Sequence, residues 1–94
     1  MKVKLSIVAF VGIKAVNKVL EVELSDGSTL LDLFNKIEKD GEVEKGFFKT
    51  ILSQRRPVTV LINGERIDIS KDKKRKLAGG DEISVVSPIA GGQD

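Results

Sequence analysis

The chain contains no cysteine and no histidine. Those two absences exclude disulfides, thiolate chemistry and Cys/His zinc sites, and they remove the commonest general base. An independent enzyme is therefore disfavoured, and no bound metal or cofactor is expected. Tryptophan and tyrosine are missing too, leaving four phenylalanines as the only aromatics, a poor supply for stacking single-stranded bases. No apolar run approaches the roughly 20 residues of a membrane-spanning helix. The alternating start Met1-Lys2-Val3-Lys4 is unlike the continuous apolar core of a secretion signal, so the expected setting is the cytoplasm, with no membrane partner. Charge of one sign is also scarce: 16 basic residues against 14 acidic ones leave +2, too little to point to nucleic acid.

What is present fits one small globular domain. The 94 residues are 40% hydrophobic and 32% charged, enough for a single core under a well-solvated surface. Val3, Leu5 and Ile7 alternate with Lys2, Lys4 and Ser6, the signature of a half-buried strand that Val8-Ala9-Phe10-Val11 prolongs. Gly12 opens a break running to Asn17, after which Leu20, Val22 and Leu24 alternate with Glu21 and Glu23. The two runs predict a hairpin with lysines opposite glutamates.

Ser25-Asp26-Gly27 is a turn signal, and Ser28 or Thr29 can cap a following helix with Asp32 in its first turn. Leu30, Leu33, Phe34 and Ile37 lie at helical spacing as a core-facing stripe, and Gly41 closes the helix. Between Glu42 and Arg56, Phe47, Phe48, Ile51 and Leu52 predict a short second helix or a partly ordered insertion, which Pro57 ends. Val58, Val60 and Ile62 form a strand running into the hairpin turn Asn63-Gly64, with Ile67 and Ile69 in a short return strand. Lys71 to Lys76 carries five basic residues and one aspartate, read as a solvated loop. Leu77-Ala78-Gly79-Gly80-Asp81 makes a tight turn, and Ile83, Val85 and Val86 form the last strand. The expected class is α+β, a β-grasp: a mixed four- to five-stranded sheet covered by one main helix, with the first and last strands parallel and adjacent at its centre.

That last strand leads into Pro88-Ile89-Ala90-Gly91-Gly92-Gln93-Asp94. Residues 1–90 are expected to form the domain and 91–94 a flexible tail. Adjacent glycines make a tail free of side chains, which a narrow channel in another protein can admit. On the sheet face away from the helix, Phe10, Leu61 and Val86 are candidates for a partner-binding patch, joined by Pro88 and Ile89.

Asp26-Gly27-Ser28-Thr29-Leu30-Leu31-Asp32-Leu33, Val60-Leu61-Ile62-Asn63-Gly64, Leu77-Ala78-Gly79-Gly80-Asp81-Glu82-Ile83 and Ser87-Pro88-Ile89-Ala90-Gly91-Gly92, in that order and spacing, resemble the ubiquitin-like sulfur carriers. The nearest likeness is to the small subunit of molybdopterin synthase, the MoaD family. The thiamine-pathway carrier ThiS and the archaeal and eukaryotic ubiquitin-related modifiers share its fold. The resemblance implies a protein cosubstrate whose terminal glycine, here Gly92, is adenylated by an ATP-dependent, ubiquitin-activating-type enzyme and converted to a thiocarboxylate. Gly91 would keep the tail thin. Gly79-Gly80-Asp81 has neither the spacing nor the Lys-Ser/Thr of a phosphate loop, so the ATP site belongs to the partner.

This chain departs from the family pattern in one respect. Gln93 and Asp94 follow Gly92 and hold its carboxyl in an amide. Either a processing protease removes them, as the resemblance implies, or the chain is not a carrier in this form. Activation at Asp94 itself is the third and least favoured option, because its side chain would have to enter the channel. The molybdopterin branch adds the synthase large subunit as a partner. Conjugation to lysines and a non-catalytic β-grasp interaction domain remain the alternatives.

Overall fold

A computed structural model describes residues 1–11, 14–53 and 58–87. β1 (Lys2–Val11) and β2 (Lys14–Glu23) pair antiparallel over their whole length, from Lys2↔Glu23 to Val11↔Lys14. The second strand thus begins within the expected break, well before the alternation resumes after Asn17. Lys4 lies opposite Glu21 as Lys2 does Glu23, so the expected charge pairing of the hairpin holds in register.

α1 (Leu30–Lys39) follows, and each N–H of its first turn finds an acceptor. Thr29 caps the helix: its hydroxyl accepts from Asp32 N–H at 3.2 Å while the Asp32 carboxylate accepts from Thr29 N–H at 2.9 Å, a reciprocal pair that satisfies two otherwise orphaned donors. Leu30 and Leu31 N–H donate to the carbonyls of Arg75 and Lys73, and Leu33 N–H donates to Thr29 O. At the other end Gly41 adopts φ +77°. Its N–H reaches Glu38 O while Glu42 N–H reaches Ile37 O, the pattern in which a left-handed glycine lets the chain leave a helix with its last carbonyls paired.

α2 (Phe47–Leu52) is the expected short second helix. It is an ordered part of the core: Phe48 stacks on Phe34 with centroids 4.1 Å apart and planes 3° from parallel, and Phe47 meets Phe48 edge-on at 5.0 Å. The Glu38 carboxylate fastens the junction, one oxygen accepting from Gly46 N–H and the other from Phe48 N–H, both at 2.9 Å. Pro57 lies outside the described residues.

β3 (Thr59–Ile62) and β4 (Glu65–Ile67) are joined by Asn63-Gly64 with φ of +54° and +82°. Those left-handed angles match the right-handed twist of a two-residue hairpin and explain this dipeptide. Ile69, assigned to the return strand from its alternation with Ile67, instead opens the short helix α3 (Ile69–Asp72). Asp68 supplies the reason: it caps α3, its carboxylate accepting from Ser70 N–H and hydroxyl, so the chain turns before a second inward residue can extend β4. The Ser70 hydroxyl, then its N–H, holds the Asp68 carboxyl below the usual range. β5 (Glu82–Val86) runs parallel to β1 and antiparallel to β3, giving the order β2-β1-β5-β3-β4. The first and last strands are adjacent near the centre of a mixed five-stranded sheet, as expected. Val3, Leu5, Ile7, Val22, Val60, Ile62, Ile83 and Val85 face Leu30, Leu33, Phe34 and Ile37 across the core, which α2 extends with Phe47, Phe48 and Ile51.

Candidate functional site

The strand register assembles a second, outward face from the residues alternating with the core set. β5 runs toward the tail, and Ser87 N–H still reaches Val8 O at 3.0 Å as the chain leaves the sheet. Beside that exit, Val86 pairs in register with Val8 on one side and Thr59 on the other. Val8 is 43% and Val86 38% exposed, unusual for valines within a sheet. One rung further from the tail, Val19, Ser6, Ser84 and Leu61 form a row across four strands. Leu61 is half-buried in it and Val19 is 60% exposed. At the far end the same face turns charged, with Glu21, Lys4 and Glu82 side by side. The outward face is thus apolar next to the tail and ionic away from it. α2 lies on the opposite, helical side with Phe34 and leaves this patch uncovered.

Of the residues singled out from the sequence, Leu61 and Val86 are brought onto one face, as expected. Phe10 falls in register with Ala15 at the tail end, its side chain outside the described residues. Pro88, Ile89, Gly91, Gly92, Gln93 and Asp94 also lie outside them. Val8 and Val19 are the patch members that sequence reasoning missed. Strict alternation from Val3 was the available signal for Val8, but the apolar run Ile7-Val8-Ala9-Phe10 conceals it.

The internal motifs turn out to be structural. Asn63 Nδ2 donates to the Asp81 carboxylate at 2.9 Å while Asn63 Oδ1 accepts from Glu82 N–H at 2.9 Å. The second Asp81 oxygen accepts from Ala78 N–H at 2.8 Å. Gly80 takes φ +87°, and Gly79 lies against Met1, where an added Cβ would stand 3.6 Å from the Met1 Cβ. Together they tie the β3–β4 turn to the start of β5.

The basic segment also differs from the expected solvated loop. It starts in α3, and the carbonyls of Lys73 and Arg75 cap α1, so its backbone is anchored while its five cationic side chains stay exposed. Among the described residues no cluster of acidic side chains could hold a metal ion, and no helix is long and apolar enough to cross a membrane.

Comparison with known proteins agrees with this architecture. An uncharacterized protein of Archaeoglobus fulgidus is 32% identical over 95 residues, covering 98% of each chain. Among solved structures, SAMP1 from Haloferax volcanii superposes with a TM-score of 0.61 at 18% identity, over 97% of this chain and 99% of that one. A putative molybdopterin converting factor subunit 1 from Pyrococcus furiosus gives 0.59 at 23% identity, over 94% and 98%. One chain of the protein–protein complex of subunits 1 and 2 of the molybdopterin-converting factor of Helicobacter pylori gives 0.58 at 21% identity, over 97% and 99%. These likenesses establish the ubiquitin-like β-grasp fold. The model of the ThiS family matches residues 9–92, from near the end of β1 through the paired glycines, and the chain belongs to that family.

Proposed function

We propose that this protein is a sulfur carrier of the MoaD type, a cosubstrate and not a catalyst, activated at the carboxyl of Gly92. The observation that carries the reading is the exposed Val8–Val86 pair beside the strand that delivers the tail. A partner seated on that patch receives the tail directly. Family membership through Gly92 supports the same reading, because the match ends on the residue whose carboxyl would react and leaves Gln93 and Asp94 beyond it.

The chemistry needs four partners. A protease frees the Gly92 carboxyl by removing Gln93 and Asp94. An adenylating enzyme joins that carboxylate to AMP from ATP with release of pyrophosphate. A sulfur donor then displaces AMP to leave the thiocarboxylate, which a molybdopterin synthase large subunit would consume. The H. pylori complex of subunits 1 and 2 supports the last partner by analogy of fold. A lysine amine displacing AMP would make the same chain a protein modifier, so the two fates share every step up to the acceptor.

The test is the intact mass of the protein from its native cells, with the tail sequenced by fragmentation. Chains ending at Gly92, some with sulfur in place of one carboxyl oxygen, are expected. Isopeptide-linked Gly92 would select the modifier reading instead. A population that keeps Gln93 and Asp94 even when sulfur-containing cofactors are depleted would overturn both and leave an interaction domain.

The docking patch has its own test. Because Val86 is partly exposed and outside the core, Val86→Glu should change stability by only about 0.5 kcal/mol. It should slow activation by the cognate adenylating enzyme about tenfold or more, the scale of a charge placed in a central interface pocket. Unchanged pyrophosphate exchange would place the docking surface elsewhere.

A further inference from the structure

The turn between β3 and β4 has a chemical property besides its structural one. Of the three asparagines in the chain, Asn17 and Asn35 precede lysine and Asn63 alone precedes glycine. In that dipeptide the backbone nitrogen of the second residue can attack the side-chain carboxamide of the first, because glycine brings no Cβ to crowd the five-membered ring that forms. Asn63 and Gly64 are both exposed, and nothing stands within 4 Å of the place a Gly64 Cβ would occupy. Water has access to the reacting atoms.

What sets the rate is how firmly the carboxamide is held. Asn63 is bound to the start of β5 at three points. Its N–H donates to Glu82 O at 2.7 Å, its Oδ1 accepts from Glu82 N–H at 2.9 Å, and its Nδ2 donates to the Asp81 carboxylate at 2.9 Å. To close a ring with the Gly64 nitrogen, the side chain must turn from β5 onto its own backbone and give up both carboxamide bonds. The hairpin holds the backbone as well, with φ of +54° at Asn63 and +82° at Gly64. The contacts that shape the turn therefore also shield it.

We propose that Asn63 is a site of spontaneous covalent modification, and that its conversion releases the β3–β4 turn from β5. The Gly64 nitrogen forms a bond to Asn63 Cγ, the Cγ–Nδ2 bond breaks, and the amide leaves as ammonia with the proton that Gly64 loses. Water then opens the resulting succinimide at either carbonyl, giving aspartate or isoaspartate at position 63. Aspartate puts a second carboxylate where an N–H donor now lies 2.9 Å from Asp81, so a hydrogen bond becomes a like-charge contact. Isoaspartate adds a carbon to the main chain of a two-residue loop whose length fixes the register of β3 with β4. Both products loosen the turn. The site rests on this geometry and is independent of the chemistry of the tail.

The full-length protein and a synthetic peptide of residues 60–67 are incubated side by side in mildly alkaline buffer. Conversion of amide to acid is followed by mass and localised by fragmentation. The peptide lacks β5, so the folded chain is expected to convert at position 63 roughly ten- to hundredfold more slowly, the weight of two exposed hydrogen bonds at tenfold per 1.4 kcal/mol. Asp81→Ala, which removes the acceptor of Nδ2, should convert about threefold faster than the parent or more.

Thermal melts read the consequence. Asn63→Asp is expected to melt about 4–8 °C below the parent. Adding Asp81→Asn to it should recover most of that loss, because the exchanged pair again sets an amide against a carboxylate and the new amide oxygen can still accept from Ala78 N–H. Circular dichroism checks that each variant is folded, and the comparison of parent with peptide needs no variant. Three results would overturn the proposal: conversion of the folded chain as fast as the peptide, no conversion over several hundred peptide half-lives, well past the protection expected of two such bonds, or an Asn63→Asp chain that melts with the parent.

Discussion

A Gly91→Val chain ending at Gly92 is expected to melt at the parent's temperature and to be activated about a hundredfold more slowly or not at all. The size follows from the geometry of the step: an attacking carboxylate displaced by about 1 Å from its in-line position can lose two orders of magnitude. A β-branched side chain in a channel that admits bare backbone causes at least that displacement. Stability is expected to be untouched because Gly91 comes after the last strand, β5, in the sequence and belongs to the expected tail. ATP–pyrophosphate exchange with the cognate adenylating enzyme reads the first quantity and a thermal melt the second. Gly91→Ala should fall between the parent and the valine variant. Equal exchange rates for all three would mean that the paired glycines are not read by a narrow channel, and the carrier reading would lose its chemical basis.

Phe34→Ala is expected to produce the largest loss of stability in the domain. Phe34 is fully buried on α1, with Phe48 stacked 4.1 Å above it. Truncating a buried phenylalanine costs about 3–5 kcal/mol, a large part of the roughly 5–15 kcal/mol available to a small domain. At about 4–8 °C per kcal/mol for this size, the melting temperature should fall by roughly 12 °C or more. Phe48→Ala should cost nearly as much, and the double variant less than the sum, because each single change already removes the ring contact. A Phe48→Ala chain within about 1 kcal/mol of the parent would show that α2 contributes little to the core. That outcome would return the segment between Glu42 and Arg56 to the status of a loose insertion.

Much of this architecture was legible in the sequence because it rests on local periodicity. Val3, Leu5 and Ile7 at alternate positions define a strand with one buried face, whatever lies beside it. Leu30, Leu33, Phe34 and Ile37 define a helix face, and Thr29 with Asp32 and Asn63-Gly64 mark where elements start and turn. Family membership was legible for the same reason, since its motifs are short, ordered and end on the paired glycines. Local rules failed where a side chain's partner was close at hand but of another kind. Ile69 alternates with Ile67 as a strand residue should, yet the carboxylate of Asp68 captures the next N–H and starts a helix.

The elements, their buried faces and the thin tail depend on residues within a few positions of one another and can be read along the chain. What those elements meet depends on pairing between distant segments. Val8 and Val86 are far apart in the chain and become neighbours because β5 adds to β1 in one parallel register. Lys73 and Arg75 cap α1 because the chain after β4 returns to the start of the helix. Among the described strands Val19 lies on an edge strand, because β5 adds to β1 and not to β2. Strand order and register are set by how all the buried faces fit one core at once, and no window along the chain contains that information.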